Sequence, residues 1–165
     1  MEVEEPEYIN TGVDFQCNGL MNFWRSTPIM ETATRSDKPL VSIIDDDVWA
    51  RTGIGELVRS LGYTVSTFES AEDFLVSDCV ENSACVITDL QMSNMTGLEL
   101  QRQLRALGHG MPIIFITAFP SEAHRAQAIE AEVTGFLTKP LDGRSLIECL
   151  SRAIGIGPRE LTARP

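Results

Sequence analysis

Leu40-Val41-Ser42-Ile43-Ile44-Asp45-Asp46-Asp47 is a short apolar, β-favouring run cut off by three carboxylates. A run of this length suits a buried strand that ends at a polar edge. Downstream, Ile54, Leu57, Val58 and Leu61 recur at i, i+3, i+4 and i+7, one face of a helix. Gly53 and Gly55 weaken its start by about 1 kcal/mol each relative to Ala, and Gly62 ends it. The same unit then repeats. Tyr63–Phe68 is β-branched and aromatic, a second strand. Ser70 caps the next helix, with Glu72 and Asp73 in its favourable first turn. Ala84–Asp89 is a third strand that ends in an acid, and Leu100, Leu104 and Leu107 stripe a helix closed by Gly108. Pro112–Thr117 is a fourth strand, Ser121–Ala131 an Ala-rich helix, and Gly135–Thr138 a fifth strand stopped by Pro140. Leu146, Ile147, Leu150 and Ile154 stripe the last helix.

Strand and helix thus alternate five times between residues 39 and 154. Apolar strands separated by amphipathic helices mean an α/β fold, a doubly wound, five-stranded parallel sheet covered on both faces. Functional groups in such sheets gather at the carboxyl ends of the strands. Those ends carry Asp45, Asp46 and Asp47 (strand one), Asp89 (strand three), Thr117 (strand four) and Lys139 (strand five). Clustered carboxylates raise one another's pKa unless a cation is present, and oxygen ligands without His or Cys favour a hard ion such as Mg²⁺. Lys139, one of two lysines in the chain, can neutralise a carboxylate or a phosphoryl oxygen. Taken singly, these residues are ordinary. Asp47 before Val48 suits a helix N-cap better than a ligand role. Their order and placement together point to a phosphoryl and metal site.

Five elements in order resemble the receiver domain of two-component response regulators. They are Asp45-Asp46 in VSIIDDD, Asp89 in VITDLQMSNMTGLEL 43 residues after Asp46, Thr117-Ala118 in PIIFITA, Lys139-Pro140 in GFLTKP, and the aromatic Phe136 three before the lysine. The wording is most similar to receivers of the nitrogen-fixation and LuxR-type subfamily. The resemblance implies a flavodoxin-like sheet with strand order 2-1-3-4-5. It implies phosphorylation on Asp89 by a histidine kinase or histidine phosphotransfer protein. Mg²⁺ would be held by Asp46, Asp89 and the Gln91 carbonyl, with Asp45 acting mainly through water. It also implies catalytic roles for Lys139 and Thr117, a cis Lys139-Pro140 peptide, and a switch through Thr117 and Phe136. That switch would alter the surface of the fourth helix, fifth strand and fifth helix, and could favour a homodimer. The chain departs from the pattern at Ser93-Asn94, where a proline usually follows the phosphoacceptor by four residues, and at Leu141, where Phe is common. Gln91 and Phe119 stand where the family tunes hydrolysis; neither activates water, so a fairly stable phosphoryl group is expected.

Two competing readings are a haloacid-dehalogenase-type phosphatase using Asp45 within Asp45-Asp46-Asp47-Val48, and a receiver-like scaffold that is never phosphorylated. No acid pair follows Lys139, and the phosphatase leaves Asp89 without a role.

Composition sets outer limits. The 165 residues carry 24 acids and 13 Lys+Arg, for a net charge of −11. Such a charge repels a phosphate backbone, and no basic patch offsets it, so no nucleic-acid contact is expected. No apolar run approaches the ~20 residues of a bilayer span, and the acidic start MEVEEPEY is unlike a signal peptide. Cys17, Cys79, Cys85 and Cys149 lack metal-ligand spacing and suit a reduced, cytoplasmic protein. Residues 1–38, net −4, read as a flexible leader; 39–154 as the receiver; 155–165 as a linker and tail. Leu161-Thr-Ala-Arg164 is similar to the opening of a LuxR-type helix-turn-helix domain, whose remainder does not follow. The expectation is a receiver without its output domain.

Overall fold

The computed structural model describes residues 38–155; most of the leader and tail regions lies outside them. Five strands, β1 (Leu40–Ile44), β2 (Thr64–Phe68), β3 (Ser83–Asp89), β4 (Ile113–Thr117) and β5 (Gly135–Thr138), form one sheet in the order β2-β1-β3-β4-β5. Every pairing is parallel. The doubly wound sheet and its strand order are those expected from sequence.

Six helices cover it: α1 (Val48–Ser60), α2 (Ala71–Leu75), α3 (Cys79–Asn82), α4 (Gly97–Ala106), α5 (Glu122–Glu130) and α6 (Gly143–Ile154). The segment between β2 and β3 holds two short helices where the sequence suggests one. The fourth and fifth helices of the sequence reading are therefore α5 and α6. α3 is a single turn held by local bonds, with Ser77 Oγ accepting from Cys79 N and Ser83 Oγ donating to Cys79 O.

Successive strand residues face opposite layers, so two cores form. Val41, Ile43, Cys85, Ile87, Ile114 and Ile116 pack against Ile54 and Val58 of α1 and Leu146 and Leu150 of α6. Ile44, Val86, Ile113 and Phe115 pack against Phe74 of α2, Val80 of α3, Leu100 and Leu104 of α4 and Ala128 of α5. Both faces of the sheet are thereby dry, which is why the strands read as nearly continuous apolar runs.

Helix ends follow their local chemistry. Asp47 caps α1, its carboxylate accepting from Trp49 N and Ala50 N, and Ser70 caps α2 by accepting from Asp73 N. Thr96 and Glu99 form a reciprocal capping box at α4. Gly62, at φ 91°, supplies the left-handed residue that stops α1.

Two details differ from the sequence reading. Gly53 and Gly55 lie in the middle of α1, because Asp47 starts that helix earlier than its apolar stripe suggests. Leu107 is not on the buried stripe of α4; it is the C-cap residue and is 61% exposed.

Candidate functional site

The carboxyl ends of β1, β3, β4 and β5 meet at one edge. Parallel pairing brings residues from four separate parts of the chain together there. Asp45 and Asp46 follow β1, Asp89 ends β3, Thr117 ends β4 and Lys139 follows β5. Backbone bonds lock these ends in register: Leu90 N donates to Ile116 O at 2.8 Å, and Lys139 N to Thr117 O at 2.8 Å.

Asp45 is 1% exposed. Its Oδ1 accepts from Asp47 N at 2.9 Å, and its Oδ2 lies 2.7 Å from Lys139 Nζ. Beyond that ion pair, the buried Oδ2 has no hydrogen-bond donor among the described residues. The Arg51 guanidinium donates to the Asp45 carbonyl. Burial holds the Asp45 carboxyl above its ordinary pKa, with Lys139 and the Asp47 N–H opposing that effect and the charge of Asp89 adding to it.

Asp89 is 7% exposed. Its Oδ1 accepts from Gln91 N at 2.9 Å, and its Oδ2 from Lys139 Nζ at 2.5 Å. Lys139 thus bridges two buried carboxylates. Burial alone would lower its pKa, but contacts to Asp45 and Asp89 outweigh that and hold it above the ordinary lysine value. The ammonium stays charged at neutral pH.

Asp46 is exposed, and its Oδ2 accepts from Ser93 Oγ at 2.9 Å. One oxygen each from Asp45, Asp46 and Asp89 lie within 4.8 Å of one another. Three carboxylates against one ammonium leave a formal charge of −2, which a divalent cation would match. The donor set is all oxygen, and one of those oxygens is buried with only the Lys139 ammonium against it among the described residues. Both features suit Mg²⁺.

Asp47 is not part of this cluster. It caps α1, so three of the four strand-end acids converge rather than four. With Asp45 buried between Asp47 N and Lys139, the phosphatase reading loses its exposed nucleophile.

Thr117 is fully buried, and its Oγ1 accepts from Phe119 N at 3.1 Å. The hydroxyl donates to no acceptor among the described residues. Phe136 is half-buried in the second core, and the Arg125 guanidinium carbon of α5 lies 5.3 Å from its ring centroid. The Lys139–Pro140 peptide is cis, as expected. The Gln91 side chain is exposed; only its backbone N–H reaches Asp89.

Sequence reading missed three site contacts: Ser93 to Asp46, Arg51 to the Asp45 carbonyl, and Arg125 over Phe136. No local pattern signals them, since each depends on where a loop or neighbouring helix passes. Gly97 was also missed. A Cβ there would stand 2.6 Å from the Asp89 carbonyl oxygen, so glycine lets α4 begin against the end of β3.

Among the described residues no helix is long and apolar enough to cross a membrane.

Comparison with known proteins agrees with this geometry. The sequence profile of the response regulator receiver domain matches residues 41–151. The transcriptional regulatory protein TdiR of Thauera aromatica is 33% identical over 127 residues, covering 77% of this chain and 56% of that protein. The response regulator protein TodT of Pseudomonas putida is 35% identical over 126 residues, covering 76% and 56%. The chain spans about half the length of these curated relatives. Among solved structures, the response regulator StyR superposes with TM-score 0.66 at 36% identity, covering 77% of this chain and 64% of that one. FixJ-N does so with TM-score 0.65 at 32% identity, covering 72% and 94%. With the strand order, the edge carboxylates and these matches in agreement, the chain belongs to the response regulator receiver domain family, the signalling modules of two-component systems.

Proposed function

We propose that Asp89 accepts a phosphoryl group from a histidine kinase or a histidine phosphotransfer protein, with Mg²⁺ bound by Asp45, Asp46, Asp89 and the Gln91 carbonyl. The observation that carries the reading is the Lys139 ammonium, 2.5 Å from Asp89 Oδ2 and 2.7 Å from Asp45 Oδ2, beside a third carboxylate. In the transfer, an Asp89 oxygen attacks phosphorus and forms an O–P bond. The N–P bond of the donor phosphohistidine breaks, its electron pair leaves with the imidazole nitrogen, and that nitrogen takes up a proton. Bound Mg²⁺ supplies charge neutralisation for the incoming phosphoryl oxygens.

The chain's own residues do the remaining work. Lys139 is already positioned to follow a charge that moves from the Asp89 oxygen to a phosphoryl oxygen. The Thr117 hydroxyl has a proton to donate to a second phosphoryl oxygen. Drawing Thr117 toward Asp89 leaves space that Phe136 can fill, which requires it to leave the Arg125 guanidinium. The surface so changed is that of α5, β5 and α6, and we assign homodimer formation in the phosphorylated state to α5 and β5.

On the wording of its motifs and its likeness to FixJ-N, we place the chain near the nitrogen-fixation and LuxR-type receivers. We also place the protein in the cytoplasm and divide it into a leader (1–38), receiver (39–154) and tail (155–165). The reading is tested by incubating the chain with a small phosphodonor and Mg²⁺ and weighing the intact protein. The wild type should gain one phosphoryl group and Asp89→Asn none. Equal labelling of the two would defeat the assignment, and no labelling of either would favour the unphosphorylated scaffold.

A further inference from the structure

Ser93 stands on the rim of the carboxylate cluster, in the loop between β3 and α4. Its neighbours fix that loop. Met92 and Met95 pack into the second core, Gln91 N donates to Asp89 Oδ1, and Gly97 N donates to Leu90 O at 3.1 Å. The Ser93 hydroxyl is therefore presented from a tethered loop, although the residue itself is exposed. It donates to Asp46 Oδ2 at 2.9 Å across 47 positions of sequence.

Asp46 is the exposed member of the three acids. Among the described residues, its carboxylate accepts no other hydrogen bond. Without that bond the side chain is free to rotate through its staggered positions, only some of which turn an oxygen toward Asp45 and Asp89. A carboxylate has two oxygens and about four lone-pair sites. Ser93 occupies one site on Oδ2 and leaves Oδ1 open. The hydroxyl thus orients a candidate metal ligand without using up its capacity to bind.

We infer that Ser93 is a positioning residue for the metal site: it holds Asp46 in the ligand orientation and so sets the Mg²⁺ affinity of the receiver. The inference rests on reading the acid cluster as the Mg²⁺ site. Partners that orient a metal ligand by hydrogen bonding commonly change affinity by about 10- to 100-fold when removed. An exposed hydroxyl belongs at the low end. The opposite behaviour is well defined: a hydroxyl that competed with the metal for Asp46 would give tighter binding when deleted.

The test is calorimetric titration of the full chain with Mg²⁺ in metal-free buffer, for wild type, Ser93→Ala and Ser93→Thr. Ser93→Ala should bind Mg²⁺ about tenfold more weakly, while Ser93→Thr, which keeps the donor, should stay within about twofold of wild type. Melting temperatures in EDTA should be the same for all three. Equal or tighter binding by Ser93→Ala overturns the inference, as does loss of affinity in Ser93→Thr. A lowered melting temperature of Ser93→Ala in EDTA also overturns it, because the serine would then act on the fold. If wild type itself binds no Mg²⁺, the metal-site reading falls and takes the inference with it; binding by wild type with no loss in Ser93→Ala sinks the inference alone.

Discussion

Replacing Gly97 by alanine tests whether the edge that carries Asp89 is as closely packed as described. A Cβ at this position would lie 2.6 Å from the Asp89 carbonyl oxygen, 3.2 Å from Leu90 Cα and 3.3 Å from Thr88 Cγ2. Ordinary contacts begin at 3.4 Å, so the worst of these is 0.8 Å too short. The first two atoms are backbone and cannot swing aside. Relief requires moving the start of α4 or the end of β3, and overpacking of this kind costs about 1–3 kcal/mol. Alanine returns at most ~1 kcal/mol through helix propensity, and less at a first helical position. A net loss of about 1–2 kcal/mol follows. Gly53 makes the control, since it is exposed, lies inside α1 and has nothing within 4 Å of a built Cβ. Gly53→Ala should gain about 0.5–1 kcal/mol. The assay is urea unfolding in EDTA, followed by circular dichroism and analysed with a shared m-value. Gly97→Ala should also weaken Mg²⁺ binding, because the displaced atoms include the backbone of Asp89. A Gly97→Ala midpoint equal to wild type, or a shift upward alongside Gly53→Ala, would refute the reasoning.

Other outcomes follow from the same edge. Burial raises the Asp45 pKa, so the folded state binds its proton more tightly than the unfolded chain does. This contribution to stability falls as pH rises from the ordinary value of 3.8 through the raised folded value. Asp45→Asn should remove that fall, be more stable than wild type in EDTA at neutral pH, and lose most of the Mg²⁺-induced gain in melting temperature. Lys139 has linkage of the same sign in a higher pH window: its raised pKa contributes stability that is complete below 10.5 and is lost as pH rises through its folded value. The stability gap between wild type and Lys139→Met should therefore close in alkali, which pH-dependent unfolding would reveal. The phosphoryl group on Asp89 should last minutes or longer by intact mass, since the exposed Gln91 and Phe119 offer no base to activate water; a lifetime of seconds would oppose this. Burial pushes the Cys85 thiol up to about 12, and Cys149 is also buried. Thiol reagents should label the half-buried Cys79 well before either of them, as peptide mapping can check.

What the sequence disclosed depended on how local each cause is. The strand ends could be located because alternation in a parallel sheet sends every strand's carboxyl end to one edge; Asp45, Asp46, Asp89, Thr117 and Lys139 needed nothing more. The capping of α1 by Asp47 and α2 by Ser70 was also legible, since a cap is decided within three residues. Leu107 misled because helical spacing continues past the last helical residue, where the chain has already turned toward solvent. α3 gave no periodic signal, being one turn fixed by serine hydroxyls. The bond from Ser93 to Asp46 could not be read at all. It joins residues 47 apart through a loop whose path is set by Met92 and Met95 entering the core. Propensity decides elements, but side-chain partners across loops are decided by packing.

The alternation of β1 has a consequence for how the domain tolerates change. Val41 and Ile43 enter one core and Ile44 the other, and the strand then runs straight into Asp45 and Asp46. A one-residue insertion in β1 would exchange the buried and exposed acids and reverse both cores at the same time. Length variation at the carboxyl edge is therefore doubly punished, and engineering there has little room. The opposite edge is open. The turn at Gly108–Gly110, which feeds the amino end of β4, has no atom within 4 Å of a Cβ built at either glycine. A peptide tag inserted there would sit at the far end of the strands from Asp89, and the bonds it would have to spare are those that Arg105 donates to the carbonyls of His109 and Met111.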